Sequence, residues 1–525
     1  MADSTDPIFA RASAAHAAGD LETALEGYVA VLSADAKRLD ALDGLTQILE
    51  GARTPQFHPG LAALLERALG TPAARRDGLV RSAQAQLALK YRMADASAVP
   101  SLDILDAFAR DGLLLAVLHL GLIGDPLVEA FLCRARRALC APDAKPKLLP
   151  LAIAFAQQAF NNDYVWPITT EDEAALTFVA GDEFGVARRA MFGPLDPAAA
   201  SFPMLGAYLS ERTKYEAALQ SAEQRIVSMY PLTPDAFAHA TARDAHAPAP
   251  RWQGLRTPGR IDIRAGLGRQ YAWAGPFPEF SPPLLALVPS AGTCHLALSM
   301  AVGYDNVQVE ATDLSRRALA FGLAQAEAIG VPNVHFSQAD LLDLPKTGAG
   351  WGHAEALDVL GAAADPRACV EALVAVLAPG SFLRLDAPGK NGRAFFAKAR
   401  ESLRAADAQT DLASLRRWRT DILSGKYGPE LQRNLPHWPG FHSAAALAAF
   451  GLQTHDNSFD IAALRTLFDG LPVRFLGFEF DPGTLQSYKK KFPAEQTCAD
   501  LANWQKLEAA RAQPFDFYRF WLLRI

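Results

Sequence analysis

Leu284-Leu285-Ala286-Leu287-Val288 runs into Pro289-Ser290-Ala291-Gly292-Thr293-Cys294, and this stretch decides how the chain reads. Five apolar residues predict a buried strand, and the small residues behind them predict a tight turn. A helix is expected over about 294–302. Working outward, Val307-Gln308-Val309-Glu310-Ala311 predicts a second strand, and Asp313 stands 21 positions after Gly292. Val334-His335-Phe336 predicts a third, which closes at Asp340. A strand, a tight turn, a helix and an acid some twenty residues on is how a doubly wound sheet binds an adenosine. The turn brings backbone close to the ligand, and the acid accepts hydrogen bonds from ribose hydroxyls. Further strands are expected near 352–357 and 381–386, with helices near 315–329 and 366–378. The late runs 473–480 and 517–523 read as a sixth and a seventh strand. The roughly ninety residues between the fifth and sixth are helical by pattern and predict a lid over the crevice.

Upstream, residues 8 to 240 read almost wholly as helix. Ala14, Ala15, Ala18, Gly19, Asp20, Ala24, Leu25, Tyr28 and Leu32 follow the spacing of one tetratricopeptide helical hairpin. No second clean copy follows at that period, so the remainder reads as degenerate repeats or another bundle. Apolar spacing predicts helices in 102–122, 127–139, 148–160 and 173–179. Residues 230 to 283 are rich in proline, which forbids long helices and predicts an extended linker. Trp252, Tyr271, Trp273 and Phe277 would pin that linker down by packing, or form one wall of a pocket.

The chain has 525 residues, half of them hydrophobic and 21% charged, with a net charge of −6. Such a length predicts several domains, and such a balance predicts a globular class rather than disorder. With Lys489-Lys490-Lys491 the sole cationic run, no nucleic-acid footprint is expected. Five scattered cysteines without metal-ligand spacing fit free thiols in a reducing compartment. The start Met-Ala-Asp-Ser-Thr-Asp, without a cationic or apolar stretch, predicts no signal peptide, and Leu113–Gly124 is too short to span a bilayer. A cytoplasmic protein without a membrane partner is the expectation.

Several motifs together resemble a known family. Pro250-Arg251-Trp252, Phe160-Asn161-Asn162-Asp163-Tyr164-Val165-Trp166, Asp313-Leu314-Ser315, Ala339-Asp340-Leu341 and Leu377-Ala378-Pro379-Gly380 carry the likeness. At the end, Arg474-Phe475-Leu476-Gly477-Phe478-Glu479, Tyr488, Trp504 and Phe517-Tyr518-Arg519-Phe520-Trp521 continue it. The chain resembles bacterial class I S-adenosylmethionine-dependent methyltransferases that carry an N-terminal tetratricopeptide-type helical region. The resemblance implies an α/β Rossmann-like methyltransferase domain with a seven-stranded, mostly parallel sheet, behind an all-α helical domain. The expected boundaries are 1–230 for the helical domain, 231–283 for the linker, and 284–525 for the methyltransferase-like domain. The helical insert is expected at about 390–470.

The resemblance also implies the site. Ser290, Ala291, Gly292, Asp313, Leu314, Asp340 and Leu341 would contact S-adenosylmethionine. Asp313 would hold the ribose hydroxyls and Asp340 the adenine amine; the alternatives are a helix N-cap for Asp313, and a turn cap or a solvated side chain for Asp340. The chain departs from the family in its first motif, which resembles Ala-Gly-Cys-Gly-Thr-Gly; here only Gly292 of three glycines remains. Each lost glycine adds a Cβ where the backbone takes a positive φ. The family's Gly-Val-Leu-His-His-Leu is Asp358-Val359-Leu360-Gly361-Ala362-Ala363 here, so both histidines are gone. The family's Arg-Asp-Leu element in the insert is replaced by Ala444-Ala445-Ala446-Leu447-Ala448-Ala449. Asp358 is the candidate catalytic carboxylate, placed to orient an acceptor amine or take its proton. His353, His437 and His442 read as structural, and Cys294 as a buried thiol. Two functions follow: a methyltransferase for a peptide or protein acceptor bound through the helical region, or an inactive scaffold subunit binding a partner protein there. Association with itself or with another chain is compatible with either.

Overall fold

The computed structural model describes residues 5–71, 76–93, 100–177, 179, 181–194, 199, 201–245, 260–348, 350–407, 411–511 and 515–525. The Pro250-Arg251-Trp252 element lies outside the described residues. The described chain divides into two compact units. A helical unit draws on Met1–Ala218 and Leu403–Gly451, and a sheet unit on Leu219–Ala245, Arg260–Ser402 and Leu452–Ile525.

In the sheet unit the strands are β1 (Val227–Ser228), β2 (Leu284–Pro289), β3 (Val307–Asp313), β4 (Val334–Gln338), β5 (Trp351–Ala356), β6 (Leu377–Pro388), β7 (Val473–Phe478) and β8 (Phe517–Arg524). Their order is β1-β4-β3-β2-β5-β6-β8-β7. All pairings are parallel except those of β8, which is antiparallel to both neighbours. This is the expected Rossmann-like, mostly parallel sheet, with one strand more than foreseen. The extra strand is the two-residue β1, which pairs Val227 and Ser228 with Ser337 and Gln338 at the outer edge of β4. The helices fall as the apolar spacing predicts, at His295–Gly303, Arg316–Ile329 and Pro366–Val376.

The sheet buries different surfaces on its two faces. One packs Leu287, Ala354, Leu383 and Phe520 against the Pro366–Val376 and Leu501–Ala509 helices. On the other, Tyr271, Phe382, Leu476 and Trp521 share a smaller core. The expected extended linker is corrected in part here. Helices Pro234–Ala245 and Ile263–Gln270 lie within it. Its prolines permit them because Pro234 stands at a first helical position, where a missing N–H costs nothing. Tyr271 packs in the core as expected, whereas Trp273 is exposed.

In the helical unit the first hairpin, Asp6–Ala18 and Leu21–Ala34, turns at Gly19 and is capped by Asp20, which accepts from the Thr23 N–H. The stretch 102–122 forms two helices, Leu102–Phe108 and Gly112–Leu120, because Asp111 caps the second.

The insert is helical as expected, and most of it groups with the helical unit. Residues Leu403–Gly451 belong to the helical unit, not to the sheet unit. The cause is polar as well as apolar. Arg419 is buried and donates to both oxygens of Glu129 and to the carbonyls of Val165 and Phe441. His442 meets Glu129 at 3.1 Å through Nδ1. Arg416 donates to the Tyr164 carbonyl, and the Ser443 hydroxyl to Asp163 at 2.5 Å. The Asn162–Val165 segment is thus the seat of the insert, which gives that sequence signature a physical role.

Candidate functional site

The carboxyl ends of β2 to β6 share one edge of the sheet. Connections leave β2 toward β3 on one side, while β5 lies on the other, so the topological switch point falls between β2 and β5. In open α/β sheets ligands bind at that point, outside the strand ends.

The turn after β2 is left-handed at three residues, with φ of 51° at Ser290, 54° at Gly292 and 64° at Cys294. These are the three positions where the family resemblance implies glycine. The chain therefore keeps the turn and carries two side chains in a conformation costing about 1–2 kcal/mol each. Cys294 has a specific accommodation. A Cβ built on Gly322, in the next helix, would lie 2.5 Å from both the Cβ and Sγ of Cys294. Gly322 leaves the space that the extra side chain fills. Burial pushes the Cys294 thiol well above its ordinary pKa, and the nearby Asp313 charge adds to that, so it is an inert packing group as expected. At Gly292 a Cβ would meet nothing within 4 Å, and the backbone there has open space beside it.

Asp313 ends β3 and is only 1% exposed. Its Oδ2 accepts from the Gly292 N–H at 2.9 Å, and its Oδ1 from the Ser315 N–H at 2.8 Å. The Ser315 hydroxyl also meets Asp244 of the Pro234–Ala245 helix. Asp313 therefore clasps the turn after β2 to the start of the following helix. Ala291 is fixed by its N–H to the Thr312 carbonyl at 2.9 Å, and the Leu314 carbonyl accepts from Gln338 at 2.8 Å. Asp340 caps a short 3₁₀ helix through the Leu342 N–H at 3.0 Å, while its carbonyl accepts from the Tyr230 hydroxyl at 2.9 Å. Leu341 is buried in the apolar core, so its side chain is structural.

Beyond β5, Asp358 is exposed and left-handed, with φ 61°. Its N–H donates to Asp386 Oδ1 at 2.7 Å. The loop behind it is tied at three carbonyls, those of Leu360 and Ala363 by Asn457 Nδ2 and that of Gly361 by the Asn457 N–H and by Arg393. Asp386, near the end of β6, is 2% exposed. Burial pushes its carboxyl up to about 6; the Asp358 charge adds to this, and the Asp358 N–H and Arg519 oppose it. Sequence reading found Asp358 and missed Asp386. The available signal was an acid closing the strand Phe382-Leu383-Arg384-Leu385-Asp386, whose remaining residues are apolar apart from Arg384.

His353 and Glu355 are wholly buried mid-strand in β5, where Glu355 joins Tyr304 at 2.7 Å and Arg384 at 2.8 Å. They are structural, as expected for His353. Among the described residues no group of three His, Cys, Asp or Glu is placed to hold a metal ion. No described helix is long and apolar enough to cross a membrane.

The arrangement fits an adenosyl sulfonium at two places. Gly292 leaves backbone approachable, and the acceptor-only carboxylates beyond β5 suit a cation without hydrogen-bond donors. Asp313, which the resemblance assigns to the ribose, is by contrast engaged with the protein's own N–H groups.

No protein-family model and no curated protein sequence matches the chain. Among solved structures, PKMT2 from Rickettsia typhi is similar at 15% identity and a TM-score of 0.37 over 50% of this chain and 51% of that one. The likeness thus spans about half the length of that protein, which has also been solved with AdoHcy. The plantazolicin methyltransferase BamL, solved with SAH, is similar at 12% identity and a TM-score of 0.28, over 50% of this chain and 83% of that one. Likenesses of this size decide nothing about the chemistry of this chain. The fold assignment stands on strand order and on the turn after β2.

Proposed function

We propose that this chain is an S-adenosylmethionine-binding, methyltransferase-like protein whose acceptor is a peptide or protein held by the helical region. The observation that carries the reading is the turn after β2. Three alternate left-handed positions, open space at Gly292 and a clasping acid 21 residues on resemble a nucleotide cradle even though two of its glycines are absent. A bound sulfonium cofactor would supply an already activated methyl group. The chain's own part is then to orient the acceptor and exclude water, which needs little acid–base help. Asp358 is the first exposed carboxylate after β5, which borders the switch point, and is the residue assigned to the acceptor. Tetratricopeptide-like hairpins present extended surfaces, which supports a peptide or protein as the partner.

A second reading is favoured by Asp313. Its buried carboxylate already satisfies Gly292 and Ser315, which is what a non-catalytic subunit retaining only the fold would show. Calorimetric titration with S-adenosylmethionine and S-adenosylhomocysteine, with Asp313→Ala in parallel, separates the two. Micromolar binding that Asp313→Ala weakens at least about tenfold supports the cofactor reading. Absence of heat at millimolar ligand with the protein folded overturns it, and leaves a scaffold that binds a partner protein.

A further inference from the structure

We propose that Asp386 is a positioning residue that sets how strongly the crevice prefers the sulfonium S-adenosylmethionine to the neutral thioether S-adenosylhomocysteine. The inference rests on the cofactor reading above and deepens it, because it assigns the charge recognition at the reacting end.

Asp358 is the first exposed acid after β5, the strand that borders the switch point. It occupies a left-handed position, φ 61°, that an aspartate adopts more readily than most side chains but still at a cost. What holds it there is the Asp386 carboxylate, 2.7 Å from its N–H. Ala356 pairs with Leu385 across the two strands, so Asp386 lies one step beyond their last register pair, at the carboxyl end of the sheet beside the switch-point strand β5. The loop is tied further on by Asn457 and Arg393, so residue 358 is fixed from both sides. The two carboxyl groups thus lie close together at the carboxyl ends of β5 and β6, one exposed and one buried. The charged groups acting on Asp386 are Asp358, from the loop after β5, and Arg519, its register partner on β8, 3.7 Å away. Arg519 is too distant for a tight pair, and so it cancels the Asp386 charge only in part.

The two ligands differ by one methyl group and one positive charge. A sulfonium offers no hydrogen-bond donor, so it is distinguished from a thioether mainly by the negative potential it meets. Ionising a buried carboxylate beside an exposed one deepens that potential. The preference for the charged ligand therefore tracks the Asp386 proton, lost near pH 6.

The test is calorimetric titration of the whole protein with both ligands between pH 5 and 7.5. The ratio of the two association constants cancels titrations that the ligands share. In the wild-type protein the ratio is expected to rise about three- to tenfold toward higher pH, with a midpoint near 6. Asp386→Asn keeps an oxygen for the Asp358 N–H but cannot ionise, and should make the ratio flat. Arg519→Gln removes the opposing cation and should move the midpoint upward. A pH-independent ratio in the wild type, or a pH dependence that survives Asp386→Asn, overturns the proposal while leaving cofactor binding intact. If the folded wild type binds neither ligand, the cofactor reading falls and this proposal falls with it.

Discussion

Glu129 in the helical unit and Asp386 in the sheet unit are both buried carboxyls, yet they are driven in opposite directions. Burial pushes Glu129 up, but Arg419 and His442 outweigh it and hold the carboxyl at about 2. Burial also pushes Asp386 up, and there the neighbouring Asp358 adds to the shift instead of cancelling it, so the group reaches about 6. The difference teaches that depth alone does not set a charge state. What decides is whether the opposite charge is delivered within hydrogen-bond distance, as by Arg419 at 2.9 Å, or stands off, as Arg519 does at 3.7 Å. One carboxylate is a fastener that joins the insert to the helical body. The other changes charge near pH 6 at the carboxyl end of the sheet, and perturbed carboxyls in such places tend to do chemistry.

The largest effect should come from breaking the fastener. Glu129→Gln strands the buried Arg419 charge, and a loss of about 3–5 kcal/mol is expected in denaturant unfolding. The pH dependence of that contribution has a definite sign. Because the folded pKa is depressed, the stabilisation is complete above 4.5 and is lost as the pH falls through about 2. A Glu129→Gln protein as stable as wild type at pH 7 would remove one side of the contrast.

Packing beside the cradle gives the next effect. Gly322→Ala would press a methyl group against Cys294 and should destabilise by about 1–3 kcal/mol. Cys294→Gly in the same chain should recover most of it, and additive losses in the double-mutant cycle would mean the two residues do not share that space.

Asp386 should respond in the reverse sense to Glu129. Its raised pKa contributes stability below 3.8 that is lost as the pH rises through about 6. Asp386→Asn should therefore gain about 1–2 kcal/mol on wild type at pH 8 and gain little at pH 4, read by thermal or urea unfolding. Equal effects at both pH values would show that the carboxyl is not charged at the expense of the fold. Smallest of all, Ser290→Gly relieves an exposed left-handed position and should stabilise by about 1 kcal/mol or less.

Much of the sheet was legible because a buried parallel strand is written locally. Leu284–Val288, Val307–Ala311 and Val334–Phe336 are apolar runs bounded by turn residues, and each became a strand within a residue or two. Asp313 and Gly292 were legible for the same reason, since a turn and the acid after the next strand lie at a fixed offset. What Asp313 contacts was not legible, because its alternatives, ribose or backbone, use the same residue in the same place. Asp386 was hidden because its meaning depends on residue 358, 28 positions earlier, reaching it across a strand pair. The linker was misread because proline at a helix start and proline in an extended segment look alike without neighbours.

By itself the sequence determined the strand and helix succession, the left-handed turn at three positions and the acids at the strand ends. Those follow from burial period and backbone sterics, which act over a few residues. Only the tertiary structure decided that Leu403–Gly451 joins the helical unit and that Asp386 sits beside Asp358. The first depends on a buried ion pair between residues 290 positions apart, the second on strand register, and neither distance is encoded in local pattern.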